Sequence, residues 1–197
     1  MKYIPLVLFF SLFTACGPGL NPNQKMANDP PGDATGENGT KWDLLGVTAE
    51  RRSEALVLKL SFAQEVKLPT PGSSADAGQL TAYIALDADQ NVSTDDPDLR
   101  AILAPLASYC SSLTPSSLGV EYLIELFERN HDGGYTVLGK GAEQAGEATP
   151  QFKGNTLTLR IPWSTLGNPQ AVSLGMVVGN GQESTDCFPN QGVFALP

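Results

Sequence analysis

The chain has 197 residues but only one His, three Cys and 12 Lys+Arg, the last set against 21 Asp+Glu for a net charge of −9. A single His excludes a His-rich metal centre and leaves His131 as the one candidate for His acid–base chemistry. So few basic residues exclude the positive footprint of a nucleic-acid binder, and no nucleic-acid partner is expected. There is no Cys-x-x-Cys-His run for covalent haem and no Gly-x-Ser-x-Gly nucleophile elbow. Long apolar runs are missing except at the start, so the chain is not a polytopic membrane protein. At 41% hydrophobic residues it is not a fully disordered one either. Aromatic content of 8% gives no bias towards a sugar-stacking surface. Glycine (20) and proline (15) are plentiful, which suits a loop-rich β protein better than a helical bundle.

The one apolar run covers residues 4–13, broken only by Pro5 and Ser11, and follows Lys2. It falls short of the ~20 apolar residues a spanning helix needs and has the form of a secretory signal. It ends in Leu12-Phe13-Thr14-Ala15-Cys16, which resembles a bacterial lipobox with Phe13 where Leu is usual. Residues 1–15 are therefore expected to be a lipoprotein signal peptide, with Cys16 the lipidated residue and the membrane a partner through that lipid. The competing reading is a plain signal peptide cut near Ala15. Gly17 rather than Asp after the Cys implies outer-membrane delivery, by similarity to Gram-negative sorting. Export leaves Cys110 and Cys187, an even pair in an oxidising compartment, expected to form a disulfide. The alternative, a nucleophilic Cys working with His131, has no protease signature around Ser108-Tyr109-Cys110-Ser111-Ser112.

Residues 17–40 hold Pro18, Pro22, Pro30, Pro31 and five Gly, without periodicity. Residues 16–40 are expected to be a flexible tether and 41–197 one domain. In that domain the dominant period is two. Leu56, Leu58, Leu60 and Phe62 alternate with Val57, Lys59 and Ser61. Leu80, Ala82, Ile84 and Leu86 repeat the pattern, as do Val120, Tyr122, Ile124 and Leu126, then Leu157, Leu159 and Ile161. Residues 172–178 and 193–196 add two strands, the first apolar on both faces. Asp132-Gly133-Gly134 and Gly154-Asn155 are hairpin punctuation. Short helices fit only 98–108 and 163–166. The expected fold is all-β, a jelly-roll-like antiparallel β-sandwich with few short helices.

One loop is chemically suggestive. After the strand ending at Leu86 come Asp87, Asp89 and Asn91 at alternate positions, then Asp95, Asp96 and Asp98. Hard cations take six to eight oxygens at about 2.3–2.6 Å, and alternate side chains in a tight loop converge. The expected ion is Ca²⁺ in a structural role, with Asp87, Asp89 and Asn91 on one side and Asp95 or Asp96 closing the other. Val92 where an EF-hand needs Gly, and a preceding strand rather than a helix, rule out an EF-hand. The bland alternative is a solvated acidic turn.

Several short motifs fall in a set order: Trp42-Asp43-Leu44, then 82–94 with Asp87-Ala88-Asp89-Gln90-Asn91-Val92-Ser93-Thr94. Gly119-Val120-Glu121-Tyr122, Ile161-Pro162-Trp163, and Asp186-Cys187-Phe188-Pro189-Asn190-Gln191-Gly192 complete it. This order, over residues 42–197, resembles bacterial extracellular β-sandwich domains of the DOMON and family-9 carbohydrate-binding-module group. The resemblance implies a binding module whose relatives take sugars, haem or no known ligand. It places Glu121 where relatives often carry Asp, which makes it a further candidate metal ligand. It matches Asp186 and Pro189 to a late motif, with Cys187 where relatives carry an aromatic or small residue.

Trp42, Tyr83, Trp163 and Phe188 are the aromatics that would stack on a sugar, with core positions the favoured reading for Trp42 and Trp163. His131 reads as an exposed turn residue and Met176 as core. Glu121, Glu125 and Glu128 offer carboxylates for glycoside hydrolysis, but Glu121 and Glu125 alternate with core residues as a solvated face would. The function expected is a non-catalytic envelope lipoprotein that binds carbohydrate or another small ligand, with a glycan or envelope protein as partner. The alternative is a structural or interaction lipoprotein without a small-molecule ligand.

Overall fold

A computed structural model describes residues 23–196. The expected signal peptide, Cys16 and everything up to residue 22 lie outside the described residues. Among the described residues no helix is long and apolar enough to cross a membrane.

The fold is all-β. The strands are β1 (Gln24–Asn28), β2 (Leu44–Arg51), β3 (Ala55–Phe62), β4 (Ser73–Ser74), β5 (Thr81–Asp87), β6 (Tyr122–Glu125) and β7 (Glu128–Arg129). They continue with β8 (Tyr135–Leu138), β9 (Gln144–Lys153), β10 (Thr156–Pro162), β11 (Val172–Gly179), β12 (Ser184–Phe188) and β13 (Phe194–Leu196). One α-helix, α1 (Pro97–Leu103), and several single 3-10 turns complete the described chain. Every strand pair is antiparallel, in the order β1-β2-β3-β10-β9-β8-β6-β5-β11-β12, with β13 beside β11 and a separate β4-β7 pair.

One curled sheet makes both layers because β9 serves both. Its first half pairs with β8 (Tyr135↔Ala148) and its second half with β10 (Arg160↔Thr149). The strand turns the corner between them. Gly154 and Asn155 close the β9–β10 hairpin, with Gly154 (φ +58°) in the left-handed conformation that glycine adopts freely.

The period-two residues meet between the layers. Leu56, Leu58 and Leu60 of β3 and Leu157, Leu159 and Ile161 of β10 face Ala82, Ile84 and Leu86 of β5 and Leu174, Met176 and Val178 of β11. Trp42 packs edge-on against Phe62 at 5.8 Å in this core. The outer face of β5, β6 and β11 carries a second, smaller core: Ala85, Leu123 and Val177 lie under Leu99, Leu103, Cys110, Leu113 and Leu118 from the α1 connection. Burial on both faces explains why β11 reads as uniformly apolar. Cys110 and Cys187 are joined as a disulfide, with Cα atoms 5.6 Å apart, tying that connection to β12.

The tether expected over 16–40 needs correcting where it is described. Residues 24–28 form β1, paired residue by residue with β2 from Gln24↔Glu50 to Asn28↔Gly46. Beyond it the Asp29 N–H donates to Leu45 O (3.0 Å), Thr35 N–H to Thr185 O (2.7 Å) and Thr40 N–H to Ala77 O (3.0 Å). Backbone hydrogen bonds to a ready-made sheet edge order this segment, which has little apolar surface of its own.

Candidate functional site

Asp87 is the last residue of β5, and Glu121 immediately precedes β6, its neighbour in the sheet. The Glu121 N–H donates to Leu86 O (3.0 Å), so sheet register brings the two carboxylates to one end of the strand pair. Asp89 completes the group: one oxygen of each of Asp87, Asp89 and Glu121 lies within 4.8 Å of the others.

The loop that holds them is built from local side-chain-to-backbone bonds. Asp87 is buried and accepts the N–H groups of Asp89 (3.3 Å) and Gly119 (3.3 Å). Asp89 is exposed, and its Oδ1 accepts from Asn91 N–H (2.9 Å) and Thr94 Oγ1 (3.0 Å). Glu121 Oε2 accepts the Ala88 N–H (2.8 Å). Burial pushes the Asp87 carboxyl above the usual carboxylate range, against the opposing pull of backbone N–H groups led by Gly119. Burial also raises Glu121, with the Asp89 and Asp87 charges adding to it. A cation or a proton relieves both.

Three expected ligands are engaged elsewhere. The Asn91 Oδ1 faces Ser93, accepting its N–H (3.1 Å) and Oγ (2.7 Å) as the cap of a 3-10 turn. Asp95 forms a two-pronged ion pair with Arg100, Nε to Oδ2 at 2.8 Å and Nη2 to Oδ1 at 2.7 Å, and accepts the Val120 N–H (2.8 Å). Arg100 in turn donates to the carbonyls of Leu113 and Leu118, so this pair knots the connection together. Asp96 caps α1, its Oδ1 accepting from Asp98 N–H and Leu99 N–H (3.0 Å each) and its Oδ2 from Gly141 N–H (3.0 Å). Burial would raise its carboxyl, but these donors, Gly141 first, outweigh it and hold it below the ordinary value. Spacing brought Asp95 and Asp96 into the candidate set. A guanidinium and a helix N-terminus claim them instead.

Two of the three, Asp89 and Glu121, line a cleft of about 600 Å³ together with Thr94, Tyr122, Lys140 and Leu166 among others, while Asp87 lies buried behind them. Tyr122 is the residue here that sequence patterning assigned to the core. Half-buried, it packs partly on the main core and also lines the cleft. The stacking candidates are placed otherwise. Trp42, Trp163 and Phe188 are buried, and Tyr83 lies against Phe127 (4.7 Å between ring centres). Trp163 donates Nε1–H to Arg52 O (2.7 Å) beneath the Arg51 guanidinium. His131 is an exposed turn residue and Met176 is core. No protein-family model, curated protein or solved structure matches this chain.

Proposed function

We propose that the chain is a non-catalytic, lipid-anchored module of the bacterial envelope that binds a small polyhydroxy ligand of the carbohydrate class. The ligand would lie in the cleft beside Asp89 and Glu121, with Ca²⁺ held by Asp87, Asp89 and Glu121. The observation that carries this reading is the cleft of about 600 Å³ lined by Asp89 and Glu121, with the buried Asp87 carboxylate clustered behind them. That size lies within the range of small-ligand sites. Hydroxyl pairs complete the coordination of a loop-bound Ca²⁺, and the Tyr122 ring offers an apolar edge.

A second reading, an interaction lipoprotein without a small-molecule ligand, draws on the burial of Trp42, Trp163 and Phe188, which removes three of the four candidate stacking aromatics. Titrating the full processed protein with a panel of neutral and acidic oligosaccharides, in Ca²⁺ and in chelator, separates the two. Calcium-dependent binding that Glu121→Gln and Tyr122→Ala each weaken at least tenfold supports the first. Binding indifferent to both variants, or absent across the panel, refutes it. Loss of membrane association in Cys16→Ala tests the anchor.

A further inference from the structure

A second group of carboxylates lies away from the cleft. Asp87 faces Ser173 of β11 while Asp186 faces Val178, five residues along the same strand and so roughly 16 Å away. Asp29, Asp33 and Asp186 each place an oxygen within 4.8 Å of the others. They come from separate stretches. Asp29 follows β1, Asp33 lies beyond the Pro30-Pro31 step, and Asp186 is in β12.

Acidic residues cluster on many surfaces without consequence. This group differs in its buried, unsatisfied oxygens. Asp29 is 5% exposed and Asp186 4%. Asp186 is satisfied: Oδ2 accepts the Leu44 N–H (2.8 Å) and Oδ1 the Cys187 N–H (2.7 Å). Asp29 Oδ2 is buried with no hydrogen-bond partner, and so is Oδ1 of Asp43, whose other oxygen accepts the Gly32 N–H (2.9 Å). The Asp186 carboxylate faces Asp29, but two acceptors satisfy each other only with a proton or a cation between them. An orphaned buried carboxylate oxygen is among the costlier things a fold can contain.

The surroundings decide which species fits. Burial raises Asp29 to about 7, and the charges that add to this, Asp186, Asp33 and Asp43, are all negative. Asp186 is raised to about 6 by burial first, with Asp33 and Asp43 contributing. A single proton would leave most of that negative charge in place. Carboxylates from several chain stretches, with the outermost, Asp33, exposed to water, suit a hard cation that takes many oxygens in an adaptable geometry.

We propose that Asp29, Asp33 and Asp186, backed by Asp43, form a Ca²⁺ site distinct from the cleft, and that this site fastens the 29–43 segment onto β12. It would act together with the bonds already there, Thr35 N–H to Thr185 O and Asn190 Nδ2 to Asp33 Oδ2 (3.0 Å). The ion cancels the repulsion among the carboxylates and takes up the orphaned oxygens.

The test is calorimetric titration of Ca²⁺ alone into the full processed, chelator-treated protein, alongside amide hydrogen exchange. Wild type is compared with Asp33→Asn, Asp29→Asn and Glu121→Gln. Asp33 is exposed, and Asp29→Asn removes a charge from a repulsive group, so both variants keep the fold, and circular dichroism checks this. The expected result is a Ca²⁺ equivalent lost in Asp29→Asn, weakened at least tenfold in Asp33→Asn and kept in Glu121→Gln. Calcium should also slow exchange at residues 32–45 in wild type and not in Asp29→Asn. Identical Ca²⁺ isotherms in wild type and both Asp variants, or no added protection of 32–45, would overturn the site and leave a shared proton as the occupant. A failure at the cleft appears separately, as a Glu121→Gln isotherm identical to that of wild type.

Discussion

Removing the Cys110–Cys187 disulfide should cost this domain a large part of its stability, through the double variant Cys110→Ala/Cys187→Ala or through reduction. The bond joins residues 77 positions apart. In the chain-entropy model a closed loop of that length restricts the unfolded state by about 4.5 kcal/mol at 25 °C. Whole domains are stable by only about 5–15 kcal/mol, so this term is not a detail. The structure adds a local component. Cys110 is fully buried in the small outer core with Leu99, Leu103 and Leu113, so its loss also loosens the lid over β5 and β11. The assay is urea unfolding followed by tryptophan fluorescence, since Trp42 and Trp163 are both buried and both report the main core. At a slope of about 2 kcal/mol/M the midpoint should fall by about 2 M. Reducing the wild type should reproduce the variant's curve. A loss below about 1 kcal/mol would show that the unfolded chain is already restricted in that region, and the loop-entropy reasoning would fail.

Arg100→Ala should cost about 2–3 kcal/mol in the same assay. It strands Asp95 and two carbonyls in a pair whose side chains are only 13% and 20% exposed, and a cost under 0.5 kcal/mol would count against the knot. Asp96→Ala removes the α1 cap and should cost about 1 kcal/mol at pH 7. Because the folded state holds the Asp96 carboxyl below its ordinary 3.8, its contribution is complete above that pH and fades as pH falls through and below it. Wild type and variant should therefore converge in acid, and a constant gap from pH 7 to pH 3 would contradict the charge-based cap. Gly119→Ala would set a Cβ 2.4 Å from Asn91 O and 2.9 Å from Val92 Cα, forcing the acidic loop away from the residue whose N–H holds Asp87. Calcium affinity at the Asp87 site should drop at least tenfold with the overall circular dichroism unchanged, and unaltered affinity would place the ion elsewhere.

The strands visible in the sequence are those with a regular apolar pattern. β3, β5, β6 and β10 fall where alternation places them, and β11 and β13 fall on the short apolar runs at 172–178 and 193–196. The strands it hides are held by backbone pairing more than by side chains. β1 has no buried residue, and β9, for all its ten residues, buries only Ala148 and Pro150. In β2 the alternation is interrupted at Gly46, beside a register shift between Leu44 and Gly46. The same division runs through the carboxylates. Alternate spacing found Asp87 and Asp89, because both sit in one short loop. It could not separate them from Asp95 and Asp96, whose partners, Arg100 and the start of α1, follow in the chain but are chosen by geometry. Asp29, Asp33 and Asp43 were illegible as a group because their fourth member is more than a hundred residues away, in β12.

The position of β1 at the end of the sheet order gives the N-terminal segment a mechanical character. A load arriving from residue 22 meets first the bond from Arg51 N–H to Asn23 O (2.7 Å), then the β1–β2 rungs. Bonds of an antiparallel pair run across the strands, so a sideways pull opens them one at a time rather than together. With a cation gripping Asp29, peeling halts there. Without one it has only isolated bonds to break, Thr35 N–H to Thr185 O and Thr40 N–H to Ala77 O among them, before Trp42, whose N–H and carbonyl are both tied to the Thr185 hydroxyl. The 13 residue-to-residue steps from Asp29 to Trp42 span up to about 45 Å when extended. If the chain is anchored through Cys16 as proposed, calcium around the protein would set how far the sandwich can travel from that anchor, a reach measured in tens of ångströms and governed by one carboxylate cluster.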